Sequence, residues 1–95
     1  MSYEPDQKTL EDHQMHLDCY QMEIEEEVTA FSLESHEDVW DEDNAQVVRA
    51  LFFERGMSKW IVFITPNGDV KSTFNNPPRQ LMTGVLSAMV AGGRI

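Results

Sequence analysis

Three side chains near the start of the chain, His13, His16 and Cys19, are of the types that bind zinc. On a helix, residues three apart share a face, but Cys19 is rotated well away from His13. No second group of ligands follows to complete the four positions that a structural zinc ion takes. We therefore interpret these residues as solvated polar positions of an amphipathic helix, and we predict no metal and no cofactor.

Other catalytic or metal-binding patterns are incomplete. The run from Asp41 to Asn44 begins like a calcium loop but lacks the glycine at the sixth position and the distal glutamate. Cys19 lies beside Asp18 among many carboxylates, whereas reactive cysteines lie in electropositive surroundings. No serine stands in a nucleophile elbow, and no glycine-rich phosphate loop is present. We predict that the protein is not an enzyme. A metal-dependent or enzyme-accessory protein is an alternative that bound metal in the purified sample would indicate.

The carboxylates are distributed unevenly along the chain. Through Asp43 there are fifteen acidic residues and one basic residue, Lys8, whereas from Asn44 onward there are two acidic and six basic residues. The net charge is −10. A strongly negative electrostatic field repels nucleic acid and anionic membranes and attracts basic partners. We therefore predict no direct binding to nucleic acid or to a membrane, and a basic protein as partner.

Two acidic segments are the predicted binding surface. We predict a strand from Glu23 to Leu33, followed by a polar loop from Glu34 to Asn44. Alternate residues of a strand are about 6.6 Å apart, about twice the ~3.4 Å axial charge spacing of one DNA strand, so carboxylates on one strand face would resemble a phosphate row. Trp40 would anchor the loop in the partner. The predicted partner-binding residues are Glu23, Glu25, Glu27, Glu37, Asp38, Trp40, Asp41, Glu42 and Asp43.

This charge pattern indicates a binding module that occupies a basic groove on a partner, such as a nucleic-acid-handling enzyme that it inhibits as a DNA mimic. In charge and size alone, the chain resembles the small acidic inhibitors that phages encode; it shares no motif with a specific family. The alternative is an adaptor or chaperone-like subunit that binds its partner through an apolar C-terminal helix, with the acidic half serving solubility. Strong salt dependence of binding would favour the first hypothesis.

The elements that position these residues are centred on a hairpin from Lys59 to Phe74. Its two β-rich runs are separated by Pro66-Asn67-Gly68, and Asn-Gly tolerates the positive φ angles of a tight turn. The run from Gln46 to Glu54 suits a strand or a helix, and we favour a strand because residues 55–58 supply a short turn into the hairpin. Before these strands, we predict a helix from Asp6 to about Gln21.

A C-terminal helix is predicted after Asn75-Asn76-Pro77-Pro78, running to about Ala91 and ending at Gly92-Gly93. Its apolar stripe consists of Leu81, Met82, Val85, Leu86, Met89 and Val90. Small residues at every fourth position, Gly84, Ala88 and Gly92, would let another backbone approach. We favour close packing within the chain for this strip, with a homodimer through the C-terminal helix as the alternative.

Together these elements predict one acidic α+β domain over residues 1–95: an N-terminal helix, an antiparallel meander of three or four strands, and a C-terminal helix packed on one face of the sheet. A chain of this size has room for one modest core, since it buries about two-thirds of its unfolded surface. The single cysteine excludes an internal disulfide and suits the reducing cytoplasm. The longest apolar segment is shorter than the roughly 20 residues that span a bilayer.

Overall fold

The computed structural model describes residues 5–93. Two helices and four strands follow in the order α1 (Gln7–Glu27), β1 (Ser32–Asp41), β2 (Gln46–Arg55), β3 (Ser58–Ile64), β4 (Val70–Phe74) and α2 (Arg79–Gly92). The strands form one antiparallel sheet in sequence order, β1-β2-β3-β4. Both helices contribute to a single core against one face of this sheet. The predicted α+β fold is confirmed, with four strands.

Helix α1 begins where the sequence predicts it but is longer. The Asp6 side chain caps the helix by accepting a hydrogen bond from the Thr9 backbone N–H at 2.7 Å, which also lowers the pKa of Asp6. The buried positions Leu17, Tyr20 and Ile24 follow the spacing of one helix face. The predicted strand from Glu23 to Leu33 is therefore wrong: the helical spacing continues through Ile24 to the end of α1, and strand begins only after this helix ends.

The segment predicted as a polar loop, Glu34 to Asn44, is mostly strand β1. Asp and Glu have low strand propensity, which concealed the element. They are tolerated because β1 is an edge of the sheet, where charged side chains meet water and discourage pairing with another chain. Leu33 and Trp40 point towards the helices and pack against the core. Only the turn after Asp41 remains a loop.

The remaining strands form the predicted meander. The run from Gln46 to Glu54 is strand β2, as favoured, and a short turn containing Gly56, at φ +63°, leads into β3. The β3–β4 hairpin is also confirmed. Its loop spans residues 65–69 and is closed by a hydrogen bond from the Thr65 N–H to the Asp69 carbonyl at 2.9 Å. Gly68 supplies the positive φ angle, +90°, that this loop requires.

Helix α2 packs on the sheet and against α1, and its small residues form the close contact. A Cβ atom on Gly84 would lie 2.9 Å from Cγ2 of Val28, and one on Gly92 would lie 2.8 Å from Cδ1 of Tyr20. The strip of small residues is thus packed within the chain, as favoured. This orientation buries Ala88 and leaves Leu86 and Val90, two members of the predicted apolar stripe, on the outer surface.

Candidate protein-binding surface

A buried arginine joins α1 to the first two strands. The Arg49 side chain is 4% exposed and lies on the helix side of β2. It binds Asp38 in a bidentate manner, with Nε–Oδ1 at 2.7 Å and Nη2–Oδ2 at 3.1 Å. Its Nη1 donates to Asp18 Oδ1 at 2.7 Å and to Gln21 Oε1 at 2.9 Å. The bonds tie the β1 edge to α1 and thereby position the acidic residues of both elements.

The pairing within this network sets the charge states of its members. Burial by itself would raise the pKa of Asp38, but hydrogen bonds from Arg49 and Gln14 and the charge of the guanidinium outweigh it, so the pKa lies below its ordinary value. Burial lowers the pKa of Arg49, and the hydrogen bonds to Asp38 and Asp18 more than reverse this effect. Asp38 and Arg49 are therefore both charged, and they bind each other within the folded chain.

The exposed side of α1 carries carboxylates with methionines between them. A helix turns about 100° per residue, so residues three, four and seven apart share one side. We call six of the exposed residues on this side the acidic ridge: Glu11, Met15, Asp18, Met22, Glu25 and Glu26. The exposed Lys8 lies on the same side one turn before them. The two methionines have 56% and 64% of their surface exposed. Lys8 is the only basic residue of α1. The ridge therefore combines negative charge with adaptable apolar contact area.

The three glutamates predicted to line one strand face lie at the end of α1. Glu25 belongs to the acidic ridge and accepts a hydrogen bond from Gln21 at 3.1 Å. Glu27 lies towards α2, where the Ser87 hydroxyl is 3.5 Å from its Oε1, and Glu23 is half-buried. The prediction that these three carboxylates form a regular row at 6.6 Å spacing is therefore wrong, because the helix directs their side chains in different directions.

The predicted residues of the second acidic segment are divided among three places. Glu37 lies on the side of β1 opposite to the helices, whereas Asp38 and Trp40 point towards α1. Trp40 is half-buried, packs against the core, and its ring stacks with that of His13 at 6.5 Å between centroids. Glu42 and Asp43 are exposed in the β1–β2 turn.

Asp41 pairs with a lysine from the far edge of the sheet. Lys71 of β4 forms an ion pair with the Asp41 carboxylate, and Asn44 Nδ2 donates to the same oxygen at 2.8 Å. These hydrogen bonds, that of Lys71 first, lower the pKa of Asp41 to about 2. Like Asp38, Asp41 is bound within the chain.

The face of the sheet opposite to the helices is apolar, and neither α1 nor α2 lies over it. Residues of β2 and β3 alternate between the two faces, and those on the helix side form the core. We call the opposite side the open face, and its apolar residues are Val39, Val48, Ala50, Phe52, Ile61, Phe63 and Phe74. A depression of about 370 Å³ at one end is lined by Phe52, Ile61 and Phe74. The sequence showed alternating apolar residues but not which face the helices cover.

A cleft of about 430 Å³ lies between α1, the β3–β4 loop and the end of α2, lined among others by His13, His16 and Tyr20. His13 Nδ1 accepts a hydrogen bond from the Val47 backbone N–H at 3.2 Å, so this nitrogen is engaged in the fold. Within residues 5–93, no group of three or more His, Cys, Asp or Glu side chains is placed to hold a metal ion.

Comparison with known proteins gave no match among protein-family models, curated proteins or solved structures. In the part of the chain that the structure describes, neither helix combines the length and apolarity needed to cross a bilayer. The candidate surfaces are the acidic ridge, the open face, and the outer side of α2 with the exposed Leu86 and Val90.

Proposed function

We propose that the protein is a non-catalytic binding module whose acidic ridge enters a basic groove on a cytoplasmic partner protein, such as a nucleic-acid-handling enzyme that it inhibits by competition. The observation that carries this proposal is the composition of the ridge. Carboxylates attract a basic surface over a distance, and the exposed Met15 and Met22 supply the apolar contact that a polar surface alone lacks.

The structure of α1 changes the form of this proposal but not its electrostatic basis. Residues seven apart on a helix are about 10 Å apart along its axis, so the ridge provides local negative charge without a phosphate-like repeat. Glu42 and Asp43 add exposed carboxylates at the β1–β2 turn, apart from the ridge. This end of the sheet adjoins the sheet-facing side of α1, where His13 contacts both Trp40 and Val47.

The proposal is tested with two variants of equal charge change. Glu11→Gln with Glu26→Gln removes two charges from the ridge, and Glu54→Gln with Asp69→Asn removes two elsewhere. Wild-type protein and both variants are used to capture partners from lysate at about 50 mM and about 500 mM salt, where the Debye length falls from about 14 to about 4 Å. The captured protein is then purified, and its affinity is measured by calorimetry with and without nucleic acid as competitor.

We expect a basic partner that the ridge variant binds about tenfold more weakly, that high salt releases, and that nucleic acid displaces. The control variant should retain wild-type affinity. A partner that both variants bind equally and that persists in high salt would contradict the proposal.

A second candidate function has its own observation. Leu86 and Val90 of α2 are 50% and 64% exposed on the outer side of the helix. They support the adaptor or chaperone-like alternative, in which an apolar helix face binds the partner. Binding that is insensitive to salt and to ridge substitutions, but is lost in Val90→Asp, would favour this function.

A further inference from the structure

We propose that the open face is the interface of a homodimer. In this dimer the sheets of two copies stack face to face, about a two-fold axis that runs parallel to the strands between β2 and β3. The proposal concerns a different surface from the acidic ridge and does not rest on the proposed function.

The first support for this interface is the amount of apolar surface that the fold leaves uncovered. Phe74 is 61% exposed and Val39 is 50% exposed at the two edges, whereas between them Phe52, Ile61 and Phe63 are half-buried and Val48 and Ala50 are buried. Soluble monomers rarely expose a large contiguous apolar patch. Sheets that stack face to face lie about 10 Å apart with their side chains interdigitated, and this spacing suits the aromatic and branched side chains present here.

Charge complementarity identifies a second copy as the occupant. Glu54 of β2 and Lys59 of β3 are register partners on the open face, at the same level along the strands. A two-fold axis between these strands places β2 of one copy over β3 of the other. Glu54 of each copy then faces Lys59 of the other copy, and symmetry repeats this contact, as in any isologous interface. At the next level, Phe52 of one copy faces Ile61 of the other.

The edges of the sheet favour the same axis. Glu37 projects from β1 on the open face, and Lys71 projects from β4. An axis parallel to the strands places the acidic β1 edge of one copy over β4 of the other, where Lys71 is paired with Asp41 of its own chain. An axis perpendicular to the strands would instead place the two acidic β1 edges over each other, and like charges across an interface are unfavourable.

The dimer leaves the helices on its two outer sides, because both pack on the opposite face of the sheet. Each dimer would therefore present two acidic ridges, one on each side. A partner with two basic grooves, or two partners, would be bound without competition for the open face.

Analytical ultracentrifugation of the full chain between about 1 and 200 µM tests for the dimer, a range that detects micromolar dissociation constants. We expect a concentration-dependent dimer in the wild type. Phe74→Glu should raise the dissociation constant at least about tenfold, because it places a charge in the apolar interface. The matched control is Val90→Glu on the outer side of α2, which should leave the dissociation constant unchanged. Circular dichroism establishes that both variants are folded.

A charge-exchange experiment tests the orientation. Glu54→Lys alone and Lys59→Glu alone each create like-charge contacts across the axis, and each should dimerise about tenfold more weakly than wild type. Mixing the two variants restores opposite charges at both contacts, so the mixture should form a heterodimer of near wild-type affinity. If the two substitutions weakened the dimer only by destabilising each subunit, mixing the variants would not restore the affinity.

Three results would overturn the proposal. The first is a wild-type chain that stays monomeric throughout the concentration range, which would indicate that the open face is unoccupied or binds another protein. The second is a dimer that Val90→Glu disrupts and Phe74→Glu does not, which would place the interface on α2. The third is a dimer of each charge variant that shows no rescue on mixing.

Discussion

Arg49 is the only charged residue within the apolar run of β2, and its surroundings explain why it is tolerated there. Four hydrogen bonds to Asp38, Asp18 and Gln21 replace the water that burial removes. A lone charge in an apolar strand was the sequence signal for this network. Its partners could not be identified from the sequence, because Asp18 lay in a predicted helix and Asp38 in a predicted loop, and neither assignment gave a register that brings them to Arg49.

Replacing Arg49 should destabilise the protein substantially. Arg49→Met keeps much of the aliphatic stem but leaves Asp38, whose side chain is only 21% exposed, without its cation. Removing one partner of a buried pair costs about 3 to 5 kcal/mol, and the partial exposure of both carboxylates reduces the expected loss here to about 2 kcal/mol. Urea unfolding of wild type and variant at pH 7 measures this loss of unfolding free energy. Asp18→Asn is the control and should cost less than about 1 kcal/mol, since Asp18 is 66% exposed.

The same network gives a pH dependence of known sign. The pKa of Asp38 is lower in the folded protein than its ordinary value, so its contribution to stability is present above about pH 4 and is lost as the pH falls through the folded pKa. The difference in unfolding free energy between wild type and Arg49→Met should therefore narrow below about pH 4. A difference that is constant from pH 7 to pH 3 would contradict the pairing.

Asp41 offers a direct measurement on a single carboxyl group. Its pKa is lowered to about 2 by hydrogen bonds from Lys71 and Asn44. Lys71→Met should return the midpoint towards the ordinary value of about 3.9. Carboxyl ¹³C chemical shifts followed by NMR report this midpoint between about pH 1.5 and about pH 6, from about half a unit below the lower value to about two units above the higher one. An Asp41 midpoint that stays near 2 in the variant would show that the lysine is not its main partner.

At the scale of elements, the strongest local patterns were predicted correctly and the acidic ones were not. Strands β2 and β3 and helix α2 have apolar periodicity and turn residues that agree with each other. In β1, charged side chains hide the alternation, and the strand is specified by its pairing with β2 and by Arg49, which are contacts distant in sequence. The end of α1 was recoverable, because Leu17, Tyr20, Ile24 and Val28 keep helical spacing.

The contact between the two helices depends on a missing side chain. A Cβ atom on Gly92 would lie 2.8 Å from Cδ1 and 3.1 Å from Cα of Tyr20, and the second of these atoms is backbone, which cannot rotate away. Gly92→Ala must therefore move α2 away from α1. The expected loss of stability is about 1 to 2 kcal/mol, the strain of overpacking less the gain in helix propensity.

Thermal unfolding, followed by circular dichroism, measures this loss. Ala91→Gly is the control for helix propensity, since Ala91 is exposed on the same turn; it should cost about 1 kcal/mol at most. A Gly92→Ala variant as stable as the wild type would show that the helices pack less closely at this point.

For the whole molecule, segregation of charge is the property that the sequence established most directly. Fifteen acidic residues precede Asn44, and the fold brings many of them to α1, β1 and the turn between β1 and β2. Three of them, Asp18, Asp38 and Asp41, form ion pairs within the chain, which a count of charges cannot show. The open face is also a property of the whole molecule, because it exists only when both helices occupy the same side of the sheet.

The remaining acidic residues repel one another, and this repulsion should make the melting temperature depend on the salt concentration. Salt at about 0.5 M reduces the Debye length to about 4 Å and screens exposed charges, so the melting temperature should rise by several degrees relative to about 20 mM salt, where repulsion extends over about 20 Å. In Glu11→Gln with Glu26→Gln this increase should be smaller, because two ridge charges are gone. In Glu54→Gln with Asp69→Asn, measured at a concentration where the protein is monomeric, the increase should be at least as large as in the wild type, since those carboxylates lie in the half of the chain where basic residues predominate. Equal increases in both variants would mean that the ridge carboxylates are too far apart to repel one another, and the concentrated field that the proposed partner binding needs would be absent.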